Sequence, residues 1–146
     1  MERESPSAAL SIRRVLPASP QEVFEFWTKP ELLIRWLSPY SGNADCQAEI
    51  EARVGGRIRL LMRGEDRECA IQGQYVEFDP PVRLAFTWAG PATDHAESLV
   101  TVELHAIAGG TELTLLHERL PNAQSRDNHA AGWAVIFDRL NEAVAR

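Results

Sequence analysis

What this chain lacks narrows its function more than what it contains. Basic residues are in the minority: 15 Lys and Arg against 21 Asp and Glu leave a net charge of −6, a field that repels a phosphate backbone and argues against any nucleic-acid partner. Lysine is nearly missing, with Lys29 beside fourteen arginines, a compositional habit to which no function attaches. There are two cysteines, Cys46 and Cys69, in strand-like stretches without CxxC spacing, so buried free thiols are expected rather than a disulfide or redox pair. Four scattered histidines without an HExxH pattern argue against a metal centre, and no cofactor is expected. No apolar run approaches the roughly 20 residues that cross a bilayer. The opening MERESPSAAL has no basic-then-apolar leader pattern, so the expectation is a cytoplasmic protein without membrane insertion. GxSxG, a phosphate-cradling glycine loop and an inward pair of carboxylates are all missing, which leaves no visible nucleophile constellation.

What is present is ordinary globular composition, 45% hydrophobic and 25% charged, in a length of 146 residues. That length suits one domain burying roughly 70% of its unfolded surface. The polar residues 1–7 are expected to be a disordered tail, and residues 8–146 the domain. Leu10, Ile12 and Leu16 alternate with Ser11 and Arg13, a first strand whose inward parity includes Arg14. Ser19-Pro20-Gln21-Glu22 fits a capping box with proline at the first helical position, followed by the apolar face Val23, Phe24, Phe26 and Trp27. Thr28 to Glu31 repeats the template less perfectly before Leu32, Leu33, Trp36 and Leu37, so two short helices are expected to meet near Pro30.

Ala44 to Val54 alternates cleanly and predicts a strand. Its partner places Ile58, Leu60 and Met62 inside and Arg57, Arg59 and Arg63 outside. Parity rejects a two-residue Gly55-Gly56 turn. A three-residue loop, Val54 to Gly56, would pair Arg53 with Arg57, Glu51 with Arg59 and Ile50 with Leu60. The arginine row then reads as a solvated, partly ion-paired face. Glu68 to Phe78 carries two conflicting parities, which a bulge near Gly73 would reconcile. After Asp79-Pro80-Pro81, Leu84, Phe86 and Trp88 form a strand. Val100, Val102 and Leu104, then Leu113, Leu115 and His117, make a hairpin around Gly109-Gly110. From His129 to Val144, Trp133, Phe137, Leu140 and Val144 recur every three or four residues on one helical face. Strand, two helices, about six strands and a long helix make an α+β pattern with a long antiparallel sheet.

Three segments carry a family resemblance: IRRVLPASPQEVFEFWTKPELLIRW from Ile12 to Trp36, EFDPPVRLAFTW from Glu77 to Trp88, and HAAGW from His129 to Trp133. They resemble the activator of heat-shock-protein-90 ATPase-like domains of the START-like (SRPBCC) superfamily, over almost the whole chain after the tail. The resemblance implies a helix-grip fold, a curved antiparallel sheet wrapped around the C-terminal helix with an elongated cavity between them. Members of the superfamily include lipid carriers, small-molecule binders, aromatases and cyclases, and co-chaperone domains, so the fold does not decide function. The resemblance is to the C-terminal domain alone of the eukaryotic co-chaperone that names the family, so a separate chaperone-binding domain is not expected and chaperone activation is not what the resemblance favours.

The reading that follows is a binder of a small hydrophobic or aromatic molecule, in a cavity of the usual 300 to 1,000 Å³ or so. The expected lining is Trp36, Tyr40, Ile58, Leu60, Tyr75, Phe86, Trp88, Leu115, His117, His129, Trp133 and Phe137. His117 shares the inward parity of Leu113 and Leu115, and His129 lies one turn before Trp133; each is expected to satisfy a buried carbonyl. Arg14 is expected to pair with a carboxylate such as Glu77. The second reading is a polyketide cyclase or aromatase-like enzyme, with His117 or His129 as general acid/base and Tyr75 or Tyr40 beside it. The third is an interaction module, in which the face bearing Arg57, Arg59 and Arg63 meets an acidic partner, a second copy of the chain to form a homodimer, or a chaperone.

Overall fold

The computed structural model describes residues 8–37, 46–63, 68–93 and 95–145. The order is β1 (Ala8–Leu16), α1 (Pro20–Thr28), α2 (Pro30–Leu33), β2 (Gln47–Ile50), β3 (Arg57–Arg63), β4 (Glu68–Asp79), β5 (Arg83–Trp88), a 3₁₀ turn (Pro91–Thr93), β6 (Ser98–Ile107), β7 (Gly110–Leu120) and α3 (Ala123–Val144). The seven strands form one curved antiparallel sheet in the order β1-β7-β6-β5-β4-β3-β2. Six strands run as a meander, and β1 closes the far edge against β7. No helix among the described residues is long and apolar enough to cross a membrane.

The capping box forms as the sequence dictates. The Ser19 hydroxyl accepts from the Glu22 N–H at 3.2 Å, and the Glu22 carboxylate accepts from the Ser19 N–H at 3.3 Å. Two otherwise orphaned donors are thereby satisfied. The helix ends because Lys29 precedes Pro30 and is driven into extended geometry, φ −96° and ψ 122°. The second box does not form. Thr28 stays inside α1 and donates its hydroxyl to the Phe24 carbonyl at 2.9 Å, so Lys29 becomes the N-cap of α2 with no side-chain cap bond. At the other end of the chain, Asn122 caps α3 by accepting from the Ser125 N–H at 2.8 Å.

Two departures from the expected register have physical causes. Strand β2 is four residues long and pairs Ile50 with Ile58, Glu49 with Arg59 and Ala48 with Leu60, two residues away from the expected pairing. A two-residue slip keeps every side chain on its face, so parity alone could not detect it. Backbone bonding decides the matter: the Arg57 N–H donates to the Glu51 carboxylate and the Glu51 N–H to the Arg57 carbonyl, while Gly55 takes φ +82°. The second departure is in β4. The register shifts between Tyr75 and Glu77, leaving Val76 exposed and returning Phe78 to the inside, so the bulge lies three residues past Gly73. Gly73 has its own reason to be glycine, since a Cβ there would stand 1.9 Å from the Thr87 carbonyl oxygen.

The core lies between the inner face of the sheet, α1–α2 and α3. The arginine row is exposed and partly paired, Arg59 with Glu49 at 3.9 Å and Arg63 with Glu68 at 2.8 Å. Arg14 is half-buried and donates to the neighbouring Arg13 carbonyl. The expected partner Glu77 is taken by Arg83, which also reaches Glu103. Neither Cys46 nor Cys69 is in a disulfide.

Candidate functional site

Two clusters meet at the aromatic centre of the molecule. The first lies under α3, where His117 of β7 meets the helix beside Trp88 of β5 and Ser98 of β6. The inward parity of β7 carries Leu113, Leu115 and His117 into complete burial, and the α3 stripe brings Ser125, His129, Trp133 and Phe137 over them. The His117 and His129 rings meet edge to face with centroids 4.7 Å apart.

The hydrogen bonds in this cluster fix its protons. The Trp133 indole N–H donates to His117 Nδ1 at 3.1 Å, so Nδ1 carries no proton. The neutral ring therefore holds its proton on Nε2 and donates it to the Ser98 hydroxyl at 2.8 Å. Ser98 in turn donates to the Trp88 carbonyl at 2.6 Å. His129 donates from Nδ1 to the Ser125 carbonyl at 2.8 Å. Burial, and secondarily the neighbouring His129, pushes the His117 pKa down to about 3, and burial lowers that of His129 against the opposing pull of its carbonyl bond. Both ring nitrogens of His117 are thus committed, and a ring so difficult to charge is a structural connector rather than a proton shuttle.

The second cluster lies toward α1, α2 and the β2–β5 half of the sheet. Here a cavity of about 20 Å³ is lined by Ile58 and Leu60 of β3, Tyr75 of β4, and Phe86 and Trp88 of β5. Trp27 of α1, Leu33 and Leu37 around α2, and Ile50 of β2 close it. This is room for about one water molecule, not for the expected 300 to 1,000 Å³ pocket. Aromatic rings occupy the space instead. Trp27 is 4.8 Å from Trp36 edge to face, and it also contacts Phe86, Trp133 and Phe137 at 6.2 to 6.5 Å. Trp88 stands 5.3 Å from Trp133, joining the two clusters.

The polar atoms here contrast with those of the first cluster. The Trp36 indole donates to the Phe26 carbonyl at 3.0 Å. The indole N–H groups of Trp27 and Trp88 are buried and, among the described residues, without partners. Desolvation raises the Tyr75 pKa well above that of an ordinary phenol, so the ring stays neutral.

Of the expected lining, Ile58, Leu60, Tyr75, Phe86 and Trp88 do surround one cavity, with Trp36 behind Trp27. Leu115, His117, His129, Trp133 and Phe137 belong to the packed cluster under α3. Tyr40 lies outside the described residues. Sequence reasoning missed Trp27, Leu33, Leu37 and Ile50 as cavity walls, and Ser98 and Ser125 as partners of the histidines. Ser98 could have been found by running the Val100–Val102 parity back one step, and Ser125 by its position one turn before His129. Trp27 was visible only as part of a helical stripe. No cluster of three or more His, Cys, Asp or Glu among the described residues is placed to hold a metal ion.

Comparison with known proteins agrees with this architecture. The family model described as Activator of Hsp90 ATPase homolog 1-like protein matches residues 17–145. Among solved structures, a protein from Chromobacterium violaceum superposes with a TM-score of 0.81 at 25% identity, covering 95% of this chain and 99% of the other. A protein from Rhodobacter sphaeroides gives 0.76 at 27% identity over 94% and 91%. A Staphylococcus aureus protein of unknown function gives 0.80 at 20% identity over 95% and 94%, a likeness of fold alone. No curated protein matches the chain.

Proposed function

The chain belongs to the Activator of Hsp90 ATPase homolog 1-like protein family, with its START-like helix-grip fold, and we propose that within this fold it binds a small apolar or aromatic molecule between α1–α2 and strands β2–β5. The observation that carries the reading is the unequal construction of the walls around the cavity. Tyr75, Phe86 and Trp88 stand on central strands hydrogen-bonded on both sides. Leu33 belongs to a four-residue helix without a side-chain cap, Leu37 to the segment that follows it, and Ile50 to a four-residue edge strand. Elements with few backbone bonds open at a small fraction of the global unfolding free energy. Outward movement of α2 and β2 enlarges the cavity while the aromatic wall stays in place. A rigid apolar platform facing a yielding apolar lid suits capture of a flat hydrophobic ligand.

Binding rather than turnover is the activity proposed, because His117 has both ring nitrogens engaged and His129 is held at Nδ1 by the Ser125 carbonyl. The test is titration with a neutral fluorescent probe, N-phenylnaphthylamine, against the native protein and Leu60→Trp, which fills the cavity. Saturable binding weakened about tenfold or more in the filled variant supports the reading. Non-saturable binding, or equal affinity in a folded Leu60→Trp protein, overturns it.

A further inference from the structure

A buried polar hydrogen without an acceptor is a rare and costly feature, about 1 to 3 kcal/mol for each such group. Among the described residues there are two, the indole N–H groups of Trp27 and Trp88, residues each only 4% exposed. Both indoles line the same cavity, and both lie against Phe86 and Trp133. The other two tryptophans show that the fold can supply acceptors where packing alone is wanted: Trp36 has the Phe26 carbonyl and Trp133 has His117. Phenylalanine at positions 27 and 88 would keep an aromatic ring in the core, at some loss of volume, with no polar hydrogen to satisfy.

We propose that the molecule bound at this cavity is a flat apolar compound bearing a carbonyl-type oxygen, and that the Trp27 and Trp88 indoles are the donors that receive it. This rests on the binding reading above and narrows it to a ligand class. Tryptophan is donor only, so the matching group on the ligand must be an acceptor. The lining contains no charged side chain, so a carboxylate or ammonium would enter without a counter-ion, whereas a neutral ketone or quinone oxygen enters at little cost. The discrimination this permits is sharp, because a site with buried polar groups rejects an analogue that leaves them unpaired.

The experiment compares fluorenone with fluorene, two tricyclic probes of nearly equal shape that differ in one carbonyl. Affinities are measured for the native protein, Trp27→Phe and Trp88→Phe, and the four indole N–H resonances of the native protein are followed with each probe. The expected result is fluorenone bound about five- to tenfold more tightly than fluorene, with the ratio of the two affinities falling toward unity in the Phe variants, since loss of wall area weakens both probes alike and only the lost donor separates them. The Trp27 and Trp88 resonances should move further downfield with fluorenone than with fluorene, and those of Trp36 and Trp133 should respond alike to both. Equal affinity for the two probes with no differential shift overturns the inference and leaves the binding reading standing. A fluorenone preference unchanged in both variants also overturns it. Failure of both probes to bind removes the binding reading itself, and the inference with it.

Discussion

The two ends of the aromatic interior are built from the same residue types and reach opposite outcomes. Under α3, an indole, an imidazole, a hydroxyl and a carbonyl form one continuous chain from Trp133 through His117 and Ser98 to Trp88, each donor meeting an acceptor. Toward α2 and β2, two indoles of equal burial have no acceptor among the described residues, beside a cavity closed on one side by short elements. The first end spends its polar groups on specifying one packing arrangement. The second leaves them unpaired, the arrangement on which the proposed ligand class rests.

The comparison can be broken most severely at Trp133. Trp133→Ala removes a buried indole and strands His117 Nδ1, so a loss of about 3 to 5 kcal/mol is expected in chemical denaturation. A small loss would mean that the α3 end is not the rigid half.

A second effect is electrostatic. The folded-state pKa of His117, about 3, lies below its ordinary value of 6.5, so the unfolded chain takes up a proton on acidification that the folded protein refuses. Stability is therefore complete above pH 6.5 and falls as pH drops from there toward 3, by about 2 kcal/mol at pH 5 from this residue alone. His129, also lowered, adds a loss of the same sign. Denaturation midpoints between pH 7 and pH 5 measure the slope, and His117→Gln should flatten it. An unchanged slope in that variant would remove His117 as its cause.

The sharpest comparison uses one substitution at two places. Trp133→Phe leaves a buried acceptor unpaired, whereas Trp88→Phe deletes a donor that has no partner. Loss of ring volume is common to both, so the first should cost about 1 kcal/mol or more beyond the second. Equal losses would show that the indole hydrogens are irrelevant to stability at either end. The smallest effect concerns the lid. Lys29→Ser supplies the side-chain cap that α2 lacks and should raise stability by about 0.5 to 1 kcal/mol, read as a shifted denaturation midpoint. It should also weaken binding of N-phenylnaphthylamine if movement of α2 admits the probe.

Legibility in the sequence followed the kind of information each feature depends on. The α1 start, the β6–β7 hairpin and the α3 stripe are local patterns, and Ser19, Gly109 and Trp133 announce them. The β2–β3 register was misread because Arg57 can face Glu51 or Arg53 with identical parity, and only the Glu51 bonds around the turn choose. The two parities of β4 predict a bulge near Gly73; it lies between Tyr75 and Glu77, and glycine at position 73 answers instead to the Thr87 carbonyl. His117 and His129 were correctly turned inward. Their serine partners were not foreseen, because a hydroxyl on a strand or helix gives no periodic signal. The filled cavity was beyond the sequence, since the volume left between apolar faces depends on how four tryptophans interlock.

One feature of the topology bears on how the chain is made. Strand β1 precedes all the other elements described, yet its neighbour is the last strand, β7, with Leu16 beside Thr111. At roughly 5 to 20 residues per second, β1 waits on the order of 5 to 20 seconds without a mate, while β2 to β7 zip up as successive hairpins. An alternating apolar strand in that condition is a template for wrong pairing. Arg13 and Arg14, in the middle of β1, place two positive charges where a foreign edge would have to lie. Charges at the centre of an apolar strand disfavour foreign pairing, and Arg13 and Arg14 stand where that protection counts during the interval.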